Sequence, residues 1–347
     1  MPQIVTRNGH SLHKNWQKEL ADVITDPNEL LRAVGLIPEN YAEHTRARQL
    51  FALRVPRYFV SLMEHGNPHD PLLRQVMPLS DEFKQVSGYS IDPLEEQQGP
   101  APGLLHKYHN RVLLIVRGGC AINCRYCFRR HFPYQDNAPG SHGWQAAIDY
   151  INERKQINEV IFSGGDPLMA NDHHLGKLIH ALETIPHLKR LRIHTRLPVV
   201  LPSRITPELI SLLADCRLKT VVVTHVNHPN EVTEVFRQAL APLRQAGVWL
   251  LNQSVLLAKV NDDVTTLAKL SEALFDADIQ PYYLHQLDKV SGAAHFDVPH
   301  ERAVALMRQL HSELPGFLIP RLVREEAHKP SKTPQDLGLS HVIIAKQ

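Results

Sequence analysis

The chain has 347 residues and little of what most quickly assigns a protein to a class. No window approaches the roughly 20 consecutive apolar residues of a membrane helix, and Met1 to Leu20 lacks the apolar core of a secretory signal. No membrane partner is expected. An excess of one charge is lacking too: 38 Lys and Arg stand against 36 Asp and Glu, a net +2. That balance gives no field to hold nucleic acid or an anionic surface. The 22 histidines are scattered. Cysteine is scarce, four in all, yet three fall at Cys120, Cys124 and Cys127. Few thiols grouped in this way suit metal binding in a reducing cytoplasm better than a disulfide framework.

What is present begins with that group. Arg111 to Val116 is a continuous apolar run bounded by Gly118-Gly119, which reads as a buried strand. The three cysteines follow on the loop leaving its C-terminal end, where open sheets and barrels keep their active sites. Three thiolates at this spacing can hold an iron–sulfur cluster with one iron open. With His131 they can make a Cys3His zinc site. They can also be inert, since i, i+4 and i+7 share one helix face, although Gly118-Gly119 opposes a helix there.

The length allows one large core with extensions. Residues 1–100 read as a helical N-terminal extension. In it Asp26-Pro27-Asn28-Glu29 is a helix start, and a second helical piece is expected from Ala47 to Leu53. The extension's expected job is to cover an end of the core or to form a subunit interface in a homo-oligomer. Glu95 to Gly103 reads as a connector. Over 101–299, strands are expected at 111–116, 159–163, 190–194, 219–225, 248–255 and 278–284. Helices are expected near 141–154, 173–184, 206–214, 231–245 and 263–276. Such alternation implies an α/β fold with a parallel sheet and right-handed crossovers. Residues 300–347 add a helix over 300–313, a strand at Phe317-Leu318-Ile319, and Lys332 between two prolines.

Ser163-Gly164-Gly165-Asp166-Pro167 places glycines at a strand end, where a ligand can approach the backbone. His225 and Asn227, in Thr224-His225-Val226-Asn227-His228-Pro229-Asn230-Glu231, share one face if the fourth strand continues. Asn230 reads as a helix cap.

These segments occur in a fixed order with Tyr126-Cys127-Phe128-Arg129-Arg130-His131, Gln280-Pro281-Tyr282-Tyr283 and Ser331-Lys332-Thr333-Pro334. Together, over about residues 50–340, they resemble the lysine 2,3-aminomutase family of radical S-adenosylmethionine (SAM) enzymes. The resemblance implies an open, partial (β/α)6 barrel. It also implies a four-iron, four-sulfur (4Fe–4S) cluster on Cys120, Cys124 and Cys127, and SAM beside Gly164, Gly165, Asp166, His225 and Asn227. Pyridoxal 5′-phosphate (PLP) is implied on Lys332 as a Schiff base, its phosphate gripped by Arg111. Arg129 matches the carboxylate-binding arginine, while neighbouring Arg130 reads as exposed. Asp288 matches an aspartate that holds the substrate's side-chain ammonium, which favours lysine over glutamate.

The chain departs from the family at Glu325, where a second ammonium-binding aspartate is expected. It also has Glu326-Ala327-His328-Lys329-Pro330-Ser331 in place of a glycine-rich run, and no cysteine-bearing C-terminal extension. These traits resemble the short bacterial branch that makes (R)-β-lysine for a ligase modifying elongation factor P, fed by an external electron donor. Rival readings are an aminomutase for another amino acid such as glutamate, a radical SAM enzyme acting on RNA or protein, and a zinc module.

Overall fold

In the computed structural model, residues 15–41, 52–135, 137 and 143–339 are described. The order of elements is α1 (Trp16–Ala21), α2 (Pro27–Ala33), α3 (Arg57–Val60), α4 (Pro71–Arg74), β1 (Leu104–Tyr108), β2 (Arg111–Arg117), α5 (Gln145–Glu153), β3 (Glu159–Gly164), α6 (Asp172–Glu183) and β4 (Arg190–Thr195). It continues with α7 (Leu197–Val200), α8 (Pro207–Ala214), β5 (Lys219–Thr224), α9 (Glu234–Gln245), β6 (Trp249–Val255), α10 (Val264–Asp276), β7 (Gln280–His285), α11 (His300–Glu313), β8 (Arg321–Arg324) and β9 (Thr333–Pro334).

The nine strands form one sheet in sequential order. β2 to β8 run parallel. β1 closes one edge as an antiparallel hairpin with β2, and β9 the other with β8. The six expected strands are β2 to β7. β1, β8 and β9 were not foreseen. Phe317-Leu318-Ile319 is not a strand: Gly316–Leu318 is a 3-10 turn, and the chain re-enters the sheet only at Arg321. The expected helix over Ala47 to Leu53 lies mostly outside the described residues, and Ala52 and Leu53 are not helical.

Local chemistry sets the helix starts. Asp26 accepts from the Asn28 N–H with Pro27 at the first helical position. Thr206, Thr233 and Asp263 cap α8, α9 and α10 in the same manner, each cap worth about 1 kcal/mol. Asn230 is not a cap: His228 accepts its N–H in the turn before Thr233.

Strand alternation separates core from cavity. In β4, Leu191 and Ile193 are buried outward in the main apolar cluster, each contributing about 1.5–3 kcal/mol. Arg190, Arg192 and His194 point the other way and line a cavity. The same holds for Leu251, Gln253 and Val255 in β6. The extension joins the main cluster through Trp16, Leu30, Leu31, Val55, Phe59, Leu72 and Val76. Among the described residues no helix is long and apolar enough to cross a membrane.

Candidate active site

The strand ends and their loops enclose a cavity of about 520 Å³. Its walls include Cys120, Cys124, Cys127, Gly164, Gly165, Asp166, Arg111, Arg129, His225, Asp288, Glu325 and Lys332. Residues more than 200 positions apart therefore meet in one space.

The cysteine loop leaves β2 at Arg117 and is stitched at once to the loop after β3. The Gly165 N–H donates to the Arg117 carbonyl (2.7 Å) and the Asp166 N–H to the Gly119 carbonyl (3.0 Å). This explains both glycines. A Cβ on Gly164 would lie 2.4 Å from the Arg117 oxygen, and one on Gly165 2.4 Å from the Gly119 oxygen. Gly164 also has φ +125°, open to glycine alone at low cost. The Asp166 carboxylate accepts from Thr195 Oγ1 (2.7 Å) and from the N–H groups of Leu168, Arg196 and Leu197. It ties the loops after β3 and β4 together. Burial nevertheless pushes its carboxyl up to about 6.

Burial raises the Cys120 thiol, with Cys127, Asp166 and Cys124 adding to it, and takes Cys127 to about 11, with Cys124 again adding. Three adjacent thiolates repel each other and need a cation to ionise together. Among the described residues, no three His, Cys, Asp or Glu side chains are placed so that they could hold a metal ion. His131 is exposed, its Nε2 3.3 Å from the Ser291 carbonyl, so the Cys3His arrangement is not assembled. Cys216 packs against the main cluster instead. Three sulfurs on one wall without a converging fourth ligand fit a cluster that keeps one iron open.

Arg196 was not singled out in the sequence. Buried behind Cys124, it donates to that sulfur (2.8 Å), to Tyr126 Oη, to Gln75 Oε1 (2.8 Å) and to Glu231 Oε2 (3.2 Å). Asn227, expected in the SAM pocket, belongs to this knot and is absent from the cavity wall. It donates to Tyr126 Oη (2.6 Å) and Gln75 Oε1 (3.0 Å) and accepts the Val255 N–H (2.8 Å). His225 does face the cavity, beside Gln253 (2.7 Å). Desolvation, then the charges of Arg196, Lys332 and Arg129, pull its pKa down to about 3, so it is neutral.

On the opposite wall, the β8–β9 register pairs Arg324 with Thr333, and the next residues out, Glu325 and Lys332, face each other. Lys332 Nζ donates to Glu325 Oε2 and lies 5.9 Å from the Tyr283 ring centre. Glu325 Oε1 accepts from Tyr108 Oη (2.6 Å) and Lys107 Nζ (3.1 Å). Burial would raise the Glu325 carboxyl, but Lys332 and Lys107 outweigh it and hold it well below the usual range. Lys107 also donates to Glu96 Oε1 (3.0 Å), whose Oε2 accepts from Arg129 Nε (2.7 Å). Arg129 Nη1 further donates to Ser163 Oγ (2.9 Å). Alternating charges thus run from Arg129 to Lys332. Glu96, read as part of a connector, is 5% exposed and belongs to the site.

Arg111 stacks on Tyr108, 4.1 Å from the ring centre. Beside it Glu159 binds Arg190 (3.1 Å) and Arg192. Three guanidinium groups near one corner suit a phosphate dianion, and Lys332 supplies the amine PLP requires. Asp288 Oδ1 is buried without a partner. Desolvation pushes this carboxyl up to about 7; Lys332 opposes that, while Glu325 and Glu96 add to it. An orphaned carboxylate oxygen invites a cation from the ligand.

Of the residues missed in the sequence, Arg190, Arg192 and His194 have a readable signal: polar side chains at every second position of an otherwise apolar strand mark an inward polar face. Gln253 and His285 carry no such alternation.

The pattern of the radical SAM superfamily matches residues 114–270. L-lysine 2,3-aminomutase of Escherichia coli is 57% identical over 340 residues, 98% of this chain and 99% of that one. The Haemophilus influenzae protein of the same name is 54% identical, over 92% and 95%. That of Clostridium subterminale is 36% identical, over 92% of this chain and 77% of its own. The superfamily works with a 4Fe–4S cluster and SAM, and the thiol wall fits the first of these. At this level of near-full-length identity, the chain belongs to the L-lysine 2,3-aminomutase family of radical SAM enzymes, which are isomerases.

Proposed function

We propose that this enzyme moves the α-amino group of L-lysine to carbon 3, with PLP on Lys332, and that its product is (R)-β-lysine used by a ligase acting on elongation factor P. The observation that carries the reading is the position of Lys332 Nζ on the same cavity as the three sulfurs, with Arg129 and Asp288 also on its walls. When bound, the cluster and SAM supply a carbon radical that removes hydrogen from the substrate, and PLP supplies the conjugated system across which nitrogen migrates.

The chain's own residues do the rest. Arg129, oriented by Glu96 and Ser163, takes the substrate carboxylate. Asp288 takes the distal ammonium. Its pKa near 7 means that a cation arriving there displaces the carboxyl proton, which favours lysine over a second carboxylate. Glu325 Oε2 holds Lys332 at the wall. Arg111, with Arg190 and Arg192 nearby, receives the phosphate. His225, kept neutral, adds no positive charge to the cavity wall that would receive the cationic SAM. The thiols need a reducing compartment, and we assign the cytoplasm and an external one-electron donor accordingly.

The test is an anaerobic incubation of iron-reconstituted protein with lysine, SAM, PLP and dithionite, followed by chiral separation. (R)-β-lysine is expected. Turnover of glutamate with lysine untouched would overturn the substrate assignment. Lysine turnover that needs no PLP would overturn the role of Lys332.

A further inference from the structure

Gly118 to Arg130 contains turns and bends but no helix or strand, so the spacing of the three sulfurs must be fixed largely from outside. The N-terminal extension supplies the contacts. The Asn123 N–H donates to the Arg54 carbonyl (3.0 Å) and the Arg125 N–H to the Gln75 carbonyl (3.0 Å). The Asn123 side chain donates to the Ala52 carbonyl (2.7 Å), and Arg125 Nη1 to the Arg74 carbonyl (2.7 Å). At the centre is Glu82, 4% exposed. Its Oε1 accepts from Arg125 Nε (2.7 Å) and its Oε2 from Arg130 Nη2 (2.6 Å). One carboxylate thus grips the loop on both sides of Cys127. The Arg130 side chain, expected to be exposed, is 1% exposed, as is that of Arg125.

We propose that the N-terminal extension is a splint for the cysteine loop and that Glu82 is its main positioning residue, setting the thiol spacing before any metal arrives. The physics is direct. Two guanidinium groups buried side by side repel each other and are tolerated only around a shared anion. Without it, the loop opens to hydrate them. His295 Nε2 lies 2.8 Å from Arg125 Nη2 and closes the far side as a neutral acceptor. The iron measurement below rests on the function proposed above; the exchange measurement does not.

Full-length, metal-free Glu82→Gln is compared with the unaltered protein by amide-exchange mass spectrometry. Peptides covering 118–132 should exchange at least tenfold faster, with β6 and α10 unchanged. After reconstitution, a chelator should strip iron at least tenfold faster. Glu82→Asp, which keeps the charge, should recover part of the protection. Asn123→Ala, a mild surface change, should loosen the same peptides by a few fold. Glu234→Gln, in an exposed ion pair with Arg237 on α9, should change neither readout. Unaltered exchange over 118–132 in Glu82→Gln overturns the proposal, and so does acceleration spread evenly over the whole chain. An unaltered protein that binds no iron would sink the cluster assignment while the exchange result still decides the role of Glu82.

Discussion

Two carboxylates in this molecule, Glu82 and Glu325, each lie between two cations, in opposite surroundings. Glu82 is sealed against Arg125 and Arg130, whose side chains are 1% exposed. Guanidinium groups do not lose their proton in proteins and meet a carboxylate in a fixed fork, so this contact is permanent. Glu325 sits at the cavity wall between Lys107 and Lys332, whose side chains are about a fifth exposed. Ammonium groups can be deprotonated or converted, so this contact can be exchanged for a ligand. The sequence letter is the same; the partner's chemistry decides whether the contact is fixed or exchangeable.

The comparison can be broken experimentally. On the exchangeable side, Lys332→Ala should abolish lysine turnover and the absorbance of lysine-bound PLP while leaving the iron content unchanged. Iron loss in that variant would mean the two ends of the cavity are not independent. On the permanent side, Glu82→Ala should cost about 3–5 kcal/mol of stability by denaturant unfolding, the usual result of stranding buried charges. Removal of the exposed Asp81–Lys84 pair should cost about 0–1 kcal/mol.

Asp288→Asn should lower kcat/KM for lysine about 10- to 100-fold, the value of one charged hydrogen bond. In the unaltered enzyme, lysine affinity should rise as pH passes upward through about 7, and the variant should lose that dependence. Because the folded-state pKa of Asp288 is raised, its contribution to ligand-free stability is complete below about 4 and is lost as pH rises through about 7. The variant should flatten that decline.

Glu325→Gln is expected to act on acid unfolding. The depressed Glu325 contributes stability above its unfolded pKa of about 4.3, lost as pH falls below that value. The variant's stability should therefore fall less steeply between pH 5 and 3. An equal slope would put Glu325 in the same class as an exposed surface pair.

Much of this was legible in the sequence, and the reasons differ by element. β2 to β7 are short apolar runs separated by amphipathic helices, so pattern alone locates them. β1, β8 and β9 are strands of two to five residues at the two ends of the sheet, too short for a period to register. The three cysteines and Lys332 were found as motifs, and their meeting needed the barrel. Asn227 shared a motif with His225, yet its neighbours in space, Gln75 and Tyr126, lie 152 and 101 positions away. Arg130 read as a surface charge because nothing nearby in sequence reveals Glu82. Glu96 was hidden by a tract whose Gly and Pro content suggested a linker. In each case the missing information was a long-range partner.

The placement of Lys332 has one more consequence. It sits on the last ribbon of the sheet, outside β8, where the strands end rather than close on themselves. The three cavity thiols, and both glycines that accommodate their loop, come from β3 and the loops after β2 and β3, near the other end of the series. The thiol wall and the Lys332 amine are therefore drawn from opposite ends of the strand series, and the intervening strands bring them to one cavity.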